Sequence, residues 1–167
     1  KAGGSLCFEC HEDTKKQIEA AKVKHLPAEN GECSSCHSPH HSELSKLLLM
    51  PDGKLCYECH DELRQAIEKA PFKHQPAENG ECASCHSPHA SATAHLIAGP
   101  EQAVCVACHQ EIGGQRATAA AVHPPSGGTQ DCTVCHEIHT GKTGALLKNT
   151  FCLVGGRARV TGIGEIV

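Results

Sequence analysis

The chain has 167 residues, a formal charge of −4, 2% aromatic residues and no Trp. This modest acidic balance gives no basic face for nucleic acid, and no apolar run approaches the roughly 20 residues of a membrane span. So few large side chains bury too little apolar surface to offset the entropy of ordering the chain. Something other than side chains is therefore expected to fill the interior.

The first predicted element is a helix over residues 12–23, with acidic residues early and lysines late. A turn is predicted at residues 28–31. A second helix over residues 61–70 and a second turn at residues 77–80 repeat this arrangement. Ile18 and Ile67 occupy the same position in the two helices and are expected to face the interior.

A third helix is predicted over residues 115–122. It is expected to start late because Gly113 and Gly114 weaken the helix before it. No sustained strand alternation occurs before residue 150. A strand is predicted only near the end of the chain, over residues 160–167.

The sequence repeats itself at a period of 49 residues. Cys7 recurs as Cys56 and Cys105, and residues 27–33 are identical to residues 76–82. The third copy diverges but keeps its cysteines and histidines. We therefore divide the chain into three repeats, residues 1–49, 50–98 and 99–148, followed by a tail at residues 149–167, and expect an array in which each repeat contacts mainly its neighbours.

Each repeat contains two C-x-x-C-H motifs, which makes six in the chain. This pattern is the attachment signature of c-type haem, because two thiols four positions apart can bond one haem edge while the following His ligates iron. The predicted attachment cysteines are Cys7, Cys10, Cys33, Cys36, Cys56, Cys59, Cys82, Cys85, Cys105, Cys108, Cys132 and Cys135. The predicted proximal ligands are His11, His37, His60, His86, His109 and His136.

The main alternative for these motifs is structural zinc. Two C-x-x-C pairs separated by 22 or 23 residues, as found within each repeat, also make an acceptable four-cysteine zinc site. Neither zinc nor a disulfide requires a His after the second Cys, yet that His follows all six times. The motifs therefore favour six covalent haems over metal or disulfides, and electron transfer over catalysis.

Six of the eight remaining histidines follow the repeat and are predicted to be distal iron ligands. These are His25, His40, His74, His89, His123 and His139. His41 and His95 have no counterparts and are expected to be exposed or near haem propionates.

Loop length suggests a pairing for each distal ligand. His40 lies too close to His37 to reach the opposite face of the same ring and is assigned to the haem at Cys7 and Cys10. His25 is assigned to the second haem of its own repeat. By the same argument, His74 and His123 serve the second haem of their repeats, whereas His89 and His139 serve the first.

This sequence pattern resembles the doubled-CXXCH family of multihaem cytochromes. The resemblance runs from residue 6 to about residue 140 and is carried by Lys24-His25-x-Pro27 and by the segment from Gly31 to His40. The second sequence repeat contains the same pattern through His89. The third repeat departs from it, with Glu137-Ile138 in place of Ser-Pro. The resemblance implies electron transfer outside the cytoplasm, often in organisms that respire metals or other extracellular acceptors.

The expected fold is mostly irregular coil with short α-helices and little or no β-sheet, forming a linear, haem-cored array of three diheme repeats. Because Met50 is the only Met, at least five haems must lack Met ligation, and low potentials are expected. Expected partners are other redox proteins or multihaem cytochromes, or copies of the chain in a homo-oligomer or filament. A soluble periplasmic shuttle and a reductase with one open haem are the alternatives.

The two ends of the sequence carry further expectations. No leader precedes the first Cys pair, as expected of a mature exported form, in the periplasm or at the cell surface. Cys152 is interpreted as a free thiol, with a degenerate seventh site or an intermolecular bridge as alternatives. The apolar tail is a candidate interface segment.

The motif count predicts the mass of the denatured protein. After unfolding, the intact mass should exceed the polypeptide mass by about six haems, because the thioether bonds survive denaturation. Replacing Cys132 and Cys135 with Ala should remove one haem from that sum. A mass matching the bare polypeptide would contradict covalent attachment.

Overall fold

A computed structural model describes residues 3–120, 131–148, 151–154 and 157–160. Short helices make up about half of these residues, and most of the others are irregular. His123 and residues 161–167 of the predicted strand lie outside the described parts. In those parts no helix is long and apolar enough to cross a membrane.

Eight short α-helices follow one another in the described residues, and none of these eight has more than nine residues. Several of these helices are short because the residue after the last turn has an extended backbone, as after α2, α5 and α8. Their bounds are α1 Gly4–Cys7, α2 Glu12–Ala20, α3 Leu26–Glu29, α4 Asp52–Tyr57, α5 Asp61–Lys69, α6 Gln75–Glu78, α7 Glu101–Cys108 and α8 Gln110–Thr118.

The predicted helices form with corrected ends. Helix α2 ends at Ala20 instead of residue 23, because Ala21 has extended backbone and Val23 joins a strand. Helix α5 ends at Lys69, one residue short of the prediction. The late start predicted for α8 is wrong: the helix begins at Gln110 and runs through both glycines.

The position of Gly113 explains how α8 tolerates these glycines. A Cβ on Gly113 would lie 3.4 Å from the Cβ of Val106 in α7, so the missing side chain lets the two helices lie close together. The predicted turn at residues 28–31 is in part the helix α3, which begins near Pro27 and ends before Gly31. The second predicted turn is in the same way part of α6.

Strands are few and short, which agrees with the predicted scarcity of sheet. There are three two-stranded antiparallel sheets among the described residues. The strands are β1 Val23–Lys24, β2 Phe72–Lys73, β3 Ala90–Ser91, β4 Thr140–Gly141, β5 Phe151–Val154 and β6 Arg157–Val160, paired as β1 with β3, β2 with β4 and β5 with β6.

The first two sheets connect different sequence repeats. Val23 pairs with Ser91, and Phe72 pairs with Gly141, so a strand from each repeat joins a strand from the next. The hairpin of β5 and β6 lies in the tail and begins nine residues before the predicted start of a strand at residue 160. Each repeat is therefore joined to its neighbour and is not closed on itself.

The apolar core is thin. Within the described ranges, the buried hydrophobic residues are Ile18, Ile67, Ala90 and Ile97. The inward orientation predicted for Ile18 and Ile67 is confirmed, since they are 6% and 5% exposed. The chain exposes 12102 Å², against about 7,900 Å² for a compact monomer of 17.6 kDa. The polypeptide is thus an open scaffold, as its composition predicts.

A close glycine contact holds α4 against the turn that precedes the second motif of the second repeat. A Cβ on Gly53 would lie 2.6 Å from the Cα of Gly80, a distance that real Cβ atoms do not reach. Gly80 has a φ of +74°, which disfavours any other residue there. Gly4 and Gly31 make the same contact in the first repeat.

This contact predicts the effect of one methyl group. Gly53→Ala should destabilise the holoprotein by about 1–3 kcal/mol, since two backbones would have to separate. Gly114→Ala is the control, because nothing lies within 4 Å of its added Cβ. Chemical denaturation followed by haem absorbance measures both, and equal stabilities of the two variants would contradict the close contact.

Candidate haem-binding site

The two motifs of a repeat lie in different local structures. The first motif begins in the last turn of a short helix: α1 ends at Cys7, and α7 ends at Cys108. The second begins in a three-residue 3-10 turn, as at Cys82–Ser84. In both settings the amide of the motif His donates to the carbonyl of the first Cys, for example His37 to Cys33 at 2.9 Å. This bond closes the loop so that both thiols and the ring project from one short segment.

Within a repeat, the first cysteines of the two motifs lie together. The Sγ atoms of Cys56 and Cys82 and a carboxylate oxygen of Asp52 all lie within 4.8 Å of one another. Burial, followed by the charge of Cys82, raises the pKa of the Cys56 thiol to about 12. In the third repeat, Cys105 and Cys132 cluster in the same way with Glu101. The first repeat has the corresponding contact between Cys7 and Cys33. Burial, and then a hydrogen bond with Cys7, raises the pKa of the Cys33 thiol.

An acidic residue at the start of α4 and α7 ties the two motifs together, a role that the sequence analysis missed. Asp52 accepts a hydrogen bond of 2.9 Å from the amide of Ala83, in the turn of the second motif. Glu101 accepts bonds of 2.8 Å from the amide and the hydroxyl of Thr133. The available signal was an acidic residue four positions before the first Cys in repeats two and three.

The proximal His of each second motif is held in one tautomer. His37 Nδ1 lies 2.8 Å from the carbonyl oxygen of Lys46 and must donate to it, because a carbonyl only accepts. His86 donates in the same way to His95, and His136 to Ala145. In the neutral imidazole the lone pair then lies on Nε2, as a metal ligand requires.

The carbonyls that accept these bonds lie in unusual turns. Lys46 and Leu47 have φ angles of 58° and 55°, and His95, Leu96 and Leu146 are similar. Non-glycine residues rarely adopt this left-handed region, and such strain concentrates at functional sites. None of these left-handed positions is a glycine, so composition offered little signal for them.

Four histidine pairs face each other across a gap. Each pair joins one C-x-x-C-H histidine with one of the predicted distal histidines, at ring centroid distances of 5.9 to 6.2 Å. The pairs are His25 with His60, His37 with His89, His74 with His109, and His86 with His139.

This separation fits an iron between the rings. Two metal–nitrogen bonds of about 2 Å plus two ring radii of about 1 Å give about 6 Å. Aromatic rings also pair directly at about 4.5–7 Å, so one such pair would mean little. Four pairs that each combine a motif His with a distal His in the same register have a common cause. The residues present therefore fit bis-histidine haem.

The loop-length pairings of these four distal histidines are wrong. His25 faces His60 of the next repeat instead of His37, and His74 faces His109 instead of His86. His89 and His139 face the second motif of the preceding repeat instead of the first motif of their own. The reason is the strand pairing. It places Lys24, just before His25, beside Ala90, just after His89, and the second sheet does the same for His74 and His139.

A main-chain bond fixes these exchanges. The amide of His25 donates to the carbonyl of His89 at 3.0 Å, and His74 donates to His139 at the same distance. His25 Nδ1 also donates to the carbonyl of Pro88 at 2.8 Å, which leaves its Nε2 unprotonated. Burial, and then the neighbouring His37, lowers the pKa of His89. Burial and His86 do the same for His139. Both rings are thereby favoured in the neutral form that ligates metal.

The remaining histidines fall into three groups. His11, His40 and His136 are exposed, and no described histidine ring lies opposite any of them. The predicted pairing of His40 with the haem at His11 thus has no corresponding ring pair. His41 and His95 are exposed, as expected. His123 lies outside the described residues.

The zinc alternative gains no support from this geometry. The clusters of metal-ligating side chains in the described residues combine two first cysteines with one carboxylate, and neither contains the second cysteine of a motif. None of the twelve motif cysteines forms a disulfide. A four-cysteine zinc site would have brought both cysteines of two motifs together.

The comparison with known families agrees with the ring pairs. The model of the family described as the doubled CXXCH motif matches residues 25–65 and 74–114. Each matched segment begins at a distal His and contains that residue's facing partner, His25 with His60 and His74 with His109. No curated protein sequence matches the chain. Its C-x-x-C-H motifs indicate covalently bound c-type haem, and over the two matched segments the chain is similar to the doubled CXXCH motif family, which is consistent with a multihaem c-type cytochrome.

Proposed function

We propose that the chain is an electron carrier with six haems, organised as three diheme units over residues 1–49, 50–98 and 99–148. The supporting observation is that two kinds of contact alternate along the chain and connect all six motifs in sequence order. Stepwise electron transfer needs each haem to lie near the next one. Six independent structural metal sites would not need such contacts between consecutive motifs.

The first kind of contact lies within a unit. The sulfurs of Cys56 and Cys82 are within 4.8 Å, as are those of Cys105 and Cys132. Cys7 and Cys33 interact in the same way in the first unit. Two haems attached through such neighbouring sulfurs must have adjacent edges.

The second kind of contact lies between units. His89 faces His37, and His25 faces His60, so these two distal histidines belong to the second haem of one unit and the first haem of the next. Their backbones are joined directly by the bond of 3.0 Å from His25 to His89. The bond from His74 to His139 repeats this link between the second and third units. Electrons would pass in the order of the proximal histidines His11, His37, His60, His86, His109 and His136.

Two histidine rings on each iron would leave no vacant position for substrate, and the haem they hold would supply electron exchange. The histidine side chains would accordingly hold the haem iron. The backbone carbonyls at residues 46, 95 and 145 orient the imidazole rings of His37, His86 and His136. We therefore propose a non-enzymatic carrier of low potential that exchanges electrons with other redox proteins or with copies of itself. Haem attachment to paired thiols favours a periplasmic or cell-surface location.

A second candidate is a reductase with an open haem. It is favoured by His11 and His136, since no described histidine faces either ring. Carbon monoxide binding by the reduced native protein separates the two functions. Turnover of a small oxyanion at a CO-binding iron would support the reductase, and its absence would support the carrier.

Removing one distal histidine tests the carrier directly. His74→Ala should convert one haem from low-spin to high-spin and add one CO-binding iron per chain, because the ring facing His109 is lost. His95→Ala is the matched control, since its ring is exposed and faces no described histidine. Optical and electron paramagnetic resonance spectra give the count, and a wholly low-spin His74→Ala protein would exclude ligation by His74.

Double variants identify which iron each ring serves. Combining His25→Ala with His60→Ala should disturb a single iron, because both rings face the same one. Combining His25→Ala with His37→Ala should disturb two. The same number of disturbed irons in both double variants would contradict the pairing between repeats.

The ligand set also predicts the potentials. A redox titration should give only negative midpoint potentials, because Met50 is the only available Met and histidine pairs give lower potentials than Met/His. Met50→Leu should leave the titration curve unchanged. A component with a positive potential that vanishes in this variant would show Met ligation.

A further inference from the structure

The carboxylate of Asp52 lies against two sulfurs that would bond to haem in the second repeat. One of its oxygens is 3.5 Å from the Sγ of Cys56, and the Sγ of Cys82 lies within 4.8 Å of a carboxylate oxygen. Its other oxygen accepts the hydrogen bond from the amide of Ala83, which holds the carboxylate in this place. All three clustered side chains are half-buried. A negative charge is thus fixed beside two attachment sulfurs and is partly shielded from solvent.

Glu101 has the same place in the third repeat. Its carboxylate lies within 4.8 Å of the sulfurs of Cys105 and Cys132, and its two oxygens accept hydrogen bonds from Thr133. Burial, followed by the charge and a hydrogen bond of Cys132 and then the charge of Glu101, raises the pKa of the Cys105 thiol to about 12. The sulfurs of this repeat therefore lie in the electrostatic field of the carboxylate.

The described part of the first repeat shows no carboxylate clustered with both of its first cysteines. The position four residues before the first Cys is Gly3 in this repeat, where the others have Asp52 and Glu101. The contact between Cys7 and Cys33 is nevertheless present. The sulfur contact thus recurs in all three repeats, whereas the carboxylate accompanies it in two.

A fixed negative charge of this kind opposes reduction of a nearby iron. Reduction adds an electron, and Coulomb repulsion from an adjacent anion makes that addition less favourable. The repulsion is stronger for a half-buried carboxylate than for an exposed one, because water and salt screen exposed charges. Since each carboxylate lies beside the sulfurs of both motifs in its repeat, each would act on two haems at once.

We propose that Asp52 and Glu101 lower the reduction potentials of the haem pairs of the second and third repeats, so that the first repeat holds the highest potentials of the six. This inference rests on the proposed function and adds a direction to it. Electrons that enter at the second or third repeat would collect on the first repeat. The first repeat would therefore hold the electrons that pass to an acceptor.

Amide variants separate the charge of these side chains from their hydrogen bonds. Asp52→Asn and Glu101→Gln remove the charges, while the amide oxygens can still accept the existing bonds from the second motifs. In a spectroscopic redox titration of the holoprotein, each variant should raise two midpoint potentials. The expected rise corresponds to about a tenfold change in the reduction equilibrium, or about 59 mV for one electron. The double variant should narrow the spread of the six potentials, because the first repeat is unaffected.

Two exposed acidic residues supply the matched control. Glu62 and Glu111 lie two residues after the motif His in the same two repeats, and their amide variants change the net charge equally. Because solvent screens exposed charges, Glu62→Gln combined with Glu111→Gln should leave the potentials nearly unchanged. Asp52→Glu keeps the charge and introduces the acidic residue found at this position in the third repeat, so it should retain the original potentials.

Three outcomes would overturn the inference. Equal shifts in the half-buried and the exposed variants would show a general effect of net charge. Unchanged potentials in Asp52→Asn and Glu101→Gln, with six haems still present in the intact mass, would exclude the effect of the carboxylates and leave the carrier function intact. A wider spread in the double variant would place the first repeat at the low end of the potentials. Loss of covalent haem from the unsubstituted protein would instead overturn the proposed function itself.

Discussion

A main-chain hydrogen bond between neighbouring repeats organises the described part of this protein. When the amide of His25 donates to the carbonyl of His89, two distal histidines from different repeats become neighbours, and each ring turns toward a motif in the other repeat. The bond from His74 to His139 does the same one repeat later. The buried position of Ala90 and the short strands depend on this contact.

Such interlocking suits a chain that lacks a core of its own. Ile18, Ile67 and Ile97 are the large buried side chains of the described residues, and surface ion pairs such as Lys16 with Glu12 contribute little. The polypeptide leaves far more surface exposed than a compact protein of its mass. Covalent haem would supply the missing apolar volume, and a histidine from the neighbouring repeat would tie the units together.

The same arrangement explains how the proposed carrier would have no gap between one motif and the next. Close sulfurs such as those of Cys56 and Cys82 join the two motifs of a unit, whereas the exchanged histidines join one unit to the next. Consecutive motifs are thereby brought together in the described residues by sulfur contacts, histidine pairs and the hydrogen bonds of Asp52 and Glu101.

The sequence by itself indicated the chemistry. The motif His that follows each second Cys favours haem over zinc, and the period of 49 residues selected six candidate distal histidines, four of which face a motif His. It also placed Ile18 and Ile67 inside, since helix periodicity is a local property. Only the tertiary structure decided which histidine faces which motif. His37 lies 12 residues after His25 and His60 lies 35 residues after it, and both segments are long enough for the rings to meet, so spacing alone does not decide between them. Pairing of β1 with β3 selects His60, and the paired residues lie 66 and 68 positions apart, beyond what local sequence encodes.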